Sequence, residues 1–252
     1  MRNILIAASV VTALSTGVAS AADIAAKPYV KAPPIVQVYN WTGFYVGAHV
    51  GGGWGNKDWE FYRTSVGPLV PPTFTSHNVN GALAGGQFGY NYQVGAWVFG
   101  IEGEGSWADL KGDSACPNPA ANCSTKVEWM ASIAGRLGYA WDNVLLYVKG
   151  GGAWAGERHD ISFAALPAGN ETTGDVTRSG YTIGAGLEYG FTPNWTAKLE
   201  YMYSDFGNRS VDFTRIATGA FVESARVDQQ IHTLKLGVNY RFGWGGPVVA
   251  KN

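Results

Sequence analysis

The chain has 252 residues, with 18 Lys+Arg against 19 Asp+Glu and a formal net charge of −1, so it carries no basic footprint for nucleic acid. Its 35 glycines and its 10 Trp, 13 Tyr and 11 Phe stand against only 15% charged residues, at a length that suits one domain. Past the N-terminal segment no run of roughly 18 apolar residues occurs, which excludes a transmembrane helix.

The chain begins with the pattern of a secretory signal peptide over residues 1–21. Arg2 supplies the positive charge, residues 4–18 the apolar stretch, and Ala19-Ser20-Ala21 the small-x-small cleavage site. Residues 22–40 follow as a leader in which Pro28, Pro33 and Pro34 forbid a regular helix or central strand. This stretch reads as a periplasmic tether.

Eight alternating segments come next, at about 42–54, 79–92, 96–108, 126–141, 144–157, 176–191, 195–206 and 227–242. The last shows the pattern best: Leu234, Leu236, Val238, Tyr240 and Phe242 share one face, with Lys235, Gly237, Asn239 and Arg241 on the other. Connections alternate in length. Gln93-Val94-Gly95, Asp142-Asn143 and Thr192-Pro193-Asn194 are tight turns, whereas 55–78, 109–125, 158–175 and 207–226 read as long loops. Short turns on one side and long loops on the other predict an all-β, eight-stranded antiparallel transmembrane β-barrel over 41–242, with periplasmic turns and extracellular loops. Residues 243–252 form a short C-terminal tail.

Aromatic residues support this reading. One set lies near the short turns (Tyr90, Trp97, Tyr139, Trp141, Tyr189, Trp195, Tyr240), another near the long connections (Trp54, Trp107, Trp129, Trp154, Tyr181, Tyr203). Within each strand the two sets share parity. Trp97 and Trp107 are ten residues apart, as are Trp129 and Tyr139, which corresponds to a rise of roughly 23–25 Å, the height of an apolar band between two interfaces.

The opposite parity lines the interior. It carries Glu102, Glu104, Glu128, Glu188 and Glu200 with Arg136, Lys149, Lys198, Lys235 and Arg241. Eight strands leave room only for side chains, so these ten residues are expected to form a buried ion-pair network. The alternative is a thin polar path through the lumen, a small channel for ions or small solutes. Inward glycines, such as those in Gly51-Gly52-Gly53 and Gly150-Gly151-Gly152, make room for bulky neighbours and are no phosphate loops, because no helix follows them.

Cys116 and Cys123 lie close together in an exported chain, so a local disulfide is expected, the alternative being two free thiols. No His lies near them in sequence, and no metal is expected there. His49 points inward and His232 outward, while His77 and His159 fall in the long connections as solvated residues. No Ser-His-acid arrangement is legible, so no catalytic, cofactor-binding or metal residue is assigned. Loop residues Trp59, Phe61, Tyr62, Arg63, Arg209, Phe213, Arg215, Phe221 and Arg226 are free for surface contacts, and the arginines suit lipopolysaccharide phosphates.

The leader ADIAAKPYVKAPP (22–34), the first strand NWTGFYVGAHVGGGWG (40–55), the hairpin GGQFGYNYQVGAWVFGIEGEGSW (85–107) and GRLGYAWDNVLLYVKGGGAW (135–154) carry a family resemblance, continued by YTIGAGLEYGFTPNWTAKLEY (181–201) and HTLKLGVNYRF (232–242). Together they resemble the small outer-membrane β-barrel family that includes opacity-type and outer-membrane immunogenic proteins, often labelled porin-like. The resemblance implies insertion by the outer-membrane assembly machinery through a terminal aromatic strand, matched here by Tyr240 and Phe242, although GWGGPVVAKN follows Phe242 where members commonly end. It lends no catalytic residue. The expected protein is a monomeric surface component of the cell outer membrane, in contact with outer-membrane lipid and lipopolysaccharide.

Overall fold

The computed structural model describes residues 39–243. The signal peptide, the leader up to residue 38 and the tail from residue 244 lie outside the described residues. Eight strands follow one another: β1 (Gly43–Thr64), β2 (Gly67–Val94), β3 (Trp97–Ala115), β4 (Ala121–Trp141), β5 (Val144–Phe163), β6 (Glu171–Gly190), β7 (Trp195–Arg215) and β8 (Phe221–Arg241). Each pairs antiparallel with its sequence neighbours, and β1 pairs with β8 from Tyr45↔Arg241 to Thr64↔Glu223, closing the barrel. Closure leaves no edge strand, which lets a sheet sit in lipid. Turns on the lower, periplasmic side are tight. Gly95 and Asp142 adopt φ of 61° and 53°, the left-handed conformation that such turns demand.

The strands are much longer than the sequence pattern suggested. They run 19 to 28 residues, whereas a tilted strand crosses the bilayer in about ten. The segments read as long loops are mostly strand, and the connections shrink to residues 65–66, 116–120, 164–170 and 216–220. Roughly ten residues of each strand therefore rise about 25 Å beyond the upper aromatic belt as an extracellular barrel. The misreading has a physical cause. Above the belt the outer face turns from apolar to polar, and that change resembles the end of a strand.

Both belts are assembled across strands. At the lower one, Trp97 packs edge-on against Tyr139 (5.4 Å between centroids), and Trp195 likewise against Tyr240 (5.1 Å). At the upper one, Trp54 stacks on His232 (5.9 Å) and Tyr181 meets Tyr203 (6.5 Å). Between the belts Phe44, Val50, Phe88, Ile101, Ile133, Val148, Ile183, Leu199 and Leu236 face outward and are exposed. Among the described residues no charged side chain faces lipid between the belts, as the cost of a charge in hydrocarbon demands.

Candidate functional site: a barrel interior in alternating layers

The interior is filled by side chains in five layers. At the periplasmic end Trp41, Val98, Ala140, Leu145 and Tyr147 form an apolar floor. Trp41 is fully buried, and its indole Nε1 donates to the Asp142 carbonyl (3.0 Å). The Arg241 guanidinium lies over the rings of Tyr39 (4.7 Å) and Trp41 (5.2 Å) and donates to the Asn40 carbonyl.

Above this floor lies the main charged layer. Arg136 pairs with Glu188, and its guanidinium sits 3.6 Å over the Tyr147 ring. Glu188 also accepts from Asn239 Nδ2 (2.9 Å) and the Thr196 hydroxyl. Lys149 Nζ reaches Glu102 (2.6 Å), Glu104 (3.2 Å) and Glu200 (3.0 Å). Lys198 reaches Glu102 (3.2 Å) and Glu200 (3.6 Å), and Lys235 reaches Glu104 (2.6 Å) and Glu200 (3.0 Å). The hydroxyls of Tyr45 and Tyr147 donate to Glu102 (2.7 Å) and Glu200 (2.8 Å). Oxygens of Glu102, Glu104 and Glu200 come within 4.8 Å of one another, the spacing a cation would need, but three ammonium groups already fill that role. Charges so deep are tolerable only when each is paired and hydrogen-bonded. Two inward glycines make the room: a Cβ on Gly89 or Gly186 would meet the ring of Tyr45 or Tyr147 within 2.5 Å.

A second apolar layer closes over this network: Leu83, Ala108, Leu110, Val127, Ala153, Ala155, Phe206 and Ile231. Between the two lies a cavity of only about 20 Å³, bordered by Glu104, Ser132 and Lys235, room for about one water.

Beyond the upper belt a second polar cluster is sealed inside the extracellular barrel. Lys57 pairs with Glu157 and donates to Gln229 Oε1 (2.8 Å). Arg178 Nε lies 2.8 Å from Glu157, and its Nη2 donates to the Val227 carbonyl (2.7 Å). His159 Nε2 meets Glu157 (3.0 Å), and its Nδ1 meets the Thr125 hydroxyl (2.9 Å), which His77 Nε2 contacts from the other side (3.1 Å). Read from the carboxylate outward, the network assigns both imidazoles as neutral, each with its proton on Nε2. Burial, with the Lys57 charge behind it, drives His77 down to about 4 and lowers His159 too. Burial also brings Lys57 down to about 8 against the pull of Glu157. Burial alone would raise Glu157, but Lys57, His159 and Arg178 hold it below the usual carboxylate range. Trp59, Phe61, Ile161, Val211, Phe213, Val227 and the Cys116–Cys123 disulfide (Cα–Cα 5.2 Å) cap this cluster.

Nine of the ten charges assigned to the lumen from sequence lie in the interior. Glu128 does not. It is the extra residue of a bulge in β4, where Val127 pairs with Glu157 and Trp129 with Gly156. The bulge reverses the parity of everything above it, so Glu128 turns outward to pair with Lys126 (3.0 Å). His77 and His159 are buried, not solvated, and Trp59, Phe61 and Phe213 line the interior, not a loop. The signal for those on β1 was available, since the alternation that places His49 inside continues through Lys57, Trp59 and Phe61. Tyr240 and Phe242 pack together (5.2 Å) on the lower belt, and the Phe242 amide donates to the Phe44 carbonyl (2.9 Å).

A closed eight-stranded barrel with two aromatic belts, an uncharged outer band and a packed ionic interior is an integral barrel of the bacterial outer membrane. Residues 7–242 match the family described as outer membrane protein beta-barrel domain, and the chain belongs to that family. It is similar to the 31 kDa outer-membrane immunogenic protein of Brucella melitensis, 30% identical over 94% of this chain and 99% of the relative. It is also similar to the 25 kDa outer-membrane immunogenic protein of Brucella canis, 27% identical over 96% of this chain and 99% of that one. Among solved structures, the outer membrane protein OprG from Pseudomonas aeruginosa shares the fold, with a TM-score of 0.50, 11% identity, and coverage of 81% of this chain and 98% of that one.

Proposed function

We propose that this outer-membrane barrel is a closed structural and surface-display protein, neither a conduit for solutes nor an enzyme. One observation carries the reading: apolar layers lie below, between and above two buried ionic clusters. An ion moving through would have to leave one set of paired charges and cross packed hydrocarbon. The buried Glu157–His159–Thr125 line has the residue types of an acid–base relay, but all three lie under Trp59 and Phe213, away from any substrate. The rigid barrel lifts its short loops far above the outer leaflet. That geometry suits display, and the two Brucella relatives are named immunogenic.

Partners follow the same reading. Outer-membrane lipid contacts the band between the belts, lipopolysaccharide surrounds the charged outer face above it, and the assembly machinery takes the strand ending at Tyr240 and Phe242. Eight strands form a complete wall in one copy, which supports a monomer. The test is conductance of the refolded protein in a planar bilayer, with heat-modifiable gel mobility as the check on folding. A folded barrel should stay silent. Discrete steps that change on Glu102→Gln or Lys198→Gln would replace this reading with the channel.

A further inference from the structure

We propose that the extracellular barrel contains a lateral seam between β6 and β7 that opens when His77 and His159 take up protons. Among the described residues, other ladders above the upper belt are interrupted on one strand at most by four residues, at 69–72 of β2 against β1, or end, as β2 and β3 do beyond Asn80↔Lys111. Between β6 and β7 the register stops at Tyr181↔Asp205 and resumes only at Thr172↔Thr214, leaving residues 173–180 unpaired with 206–213. A glycine in the left-handed region sits near one end of each stretch, Gly174 (φ 66°) and Gly207 (φ 60°). One side chain stitches the gap from outside, Arg209 Nη1 donating to the Thr177 carbonyl (3.0 Å).

The residue next to Thr177 is Arg178, which ties β6 to the sealed cluster. The charges around that cluster do not balance. β1 gives Lys57, β6 gives Arg178, and β5 gives one carboxylate, Glu157, between them. β2 and β5 give His77 and His159, β4 gives Thr125, β3 gives Ser114 and β8 gives Gln229, none of which carries a negative charge. The nearest other acids, Asp58, Asp113 and Asp228, lie on the outer face of β1, β3 and β8, as Asp205 and Asp212 do on β7 beside the further cation Arg209. The inward Glu171 and Glu223 lie farther up against Ile161 and Phe213 of the cap, where burial raises both. A proton on His159 would remove the hydrogen-bond acceptor that Thr125 uses and place a third cation beside Glu157. A proton on His77 would add a fourth. Relief requires moving a cation outward. Of the two permanent cations, Lys57 lies in continuous ladders on both sides and Arg178 beside the long unpaired stretch, so β6 and β7 separate there while the more extensively paired ladders hold.

This inference goes beyond the closed-barrel reading and rests only on the segment above the upper belt lying in water. The test is hydrogen exchange of the folded mature protein in lipid vesicles, corrected for the intrinsic pH dependence of exchange. Protection over 173–180 and 206–213 should fall as pH drops below about 6.5, by about tenfold per pH unit for each histidine taken up. Amides of residues 195–203, between the belts, should keep their protection. The His77→Gln/His159→Gln double variant should hold the seam closed. Protection that ignores pH would overturn the proposal, as would an equal loss in the double variant or a loss that spreads between the belts. Should the double variant fail the heat-modifiable mobility check, His77→Gln alone must halve the slope, and an unchanged slope would equally overturn it. Bilayer conductance through the membrane-embedded barrel tests the closed-barrel reading separately.

Discussion

The same eight strands build two barrels with opposite polarity, joined at the upper aromatic belt. Below it, β1 sends Val46 and Val50 outward and His49 inward. Above it, the same parity sends Asp58 and Glu60 outward and Trp59 and Phe61 inward. Where the surroundings are hydrocarbon, the outside must be apolar, and polar groups fit only in the interior, provided they satisfy one another. Where the surroundings are water, the arrangement returns to that of a soluble barrel with an apolar core. The two ionic clusters differ accordingly. In the membrane-embedded barrel Glu102, Glu104 and Glu200 are matched by Lys149, Lys198 and Lys235, with Arg136 and Glu188 as a further pair. In the extracellular barrel Lys57 and Arg178 share Glu157, and the histidines beside it stay neutral.

Removing one partner from the matched cluster should give the largest effect. Lys149→Met leaves three carboxylates short of a cation and should cost about 3–5 kcal/mol, read as a lower urea midpoint for the loss of heat-modifiable mobility. A neutral result would mean that the lumen is wet, which would break the contrast. Trp59→Ala should cost about 3 kcal/mol by emptying the extracellular core, yet leave the region between the belts folded. Limited proteolysis should then cut above the upper belt only.

Acid should sharpen the contrast further. His77 takes up its proton in the folded state only near pH 4, against about 6.5 when unfolded. The unfolded segment therefore binds more protons between those values, and the stability the neutral ring contributes is lost as pH falls through that window. Between pH 7 and pH 4.5, thermal unfolding of the extracellular barrel should shift by up to about 2 kcal/mol in the destabilising direction relative to His77→Gln; Glu223, which burial raises to about 7, works the other way over this window and is common to both proteins. Reducing the disulfide between Cys116 and Cys123, seven residues apart, should cost about 2 kcal/mol, felt as faster exchange at that loop and not between the belts. The smallest effect belongs to Glu128→Gln. Its partner Lys126 is solvated, so melting should not change measurably, whereas Glu102→Gln should lower stability clearly.

Much of the membrane-embedded barrel was legible because lipid imposes strict rules. A period of two, ten residues between belts and charges confined to one parity identify β3, β5 and β8 from sequence alone, and they place Glu102, Lys149 and Lys235 inside. Above the belt the same rules stop applying. Outer positions become polar, and the change at Asn56 or Asp109 reads as a loop although the strand continues. On β1 the inward set Lys57, Trp59 and Phe61 kept its period and was readable. On β4 the bulge at Glu128 reversed the parity, and on β7 the left-handed Gly207 did the same for Val211 and Phe213.

The class of protein, the strand order, the lipid face and most of the lumen charges can be read along the chain, because burial in hydrocarbon writes a local, periodic pattern. How far the strands rise, which carboxylate meets which ammonium, where the bulges turn a side chain outward, and that His77, Thr125, His159 and Glu157 form one line emerge from the folded barrel. These depend on register between strands distant in sequence, and no single strand carries that information.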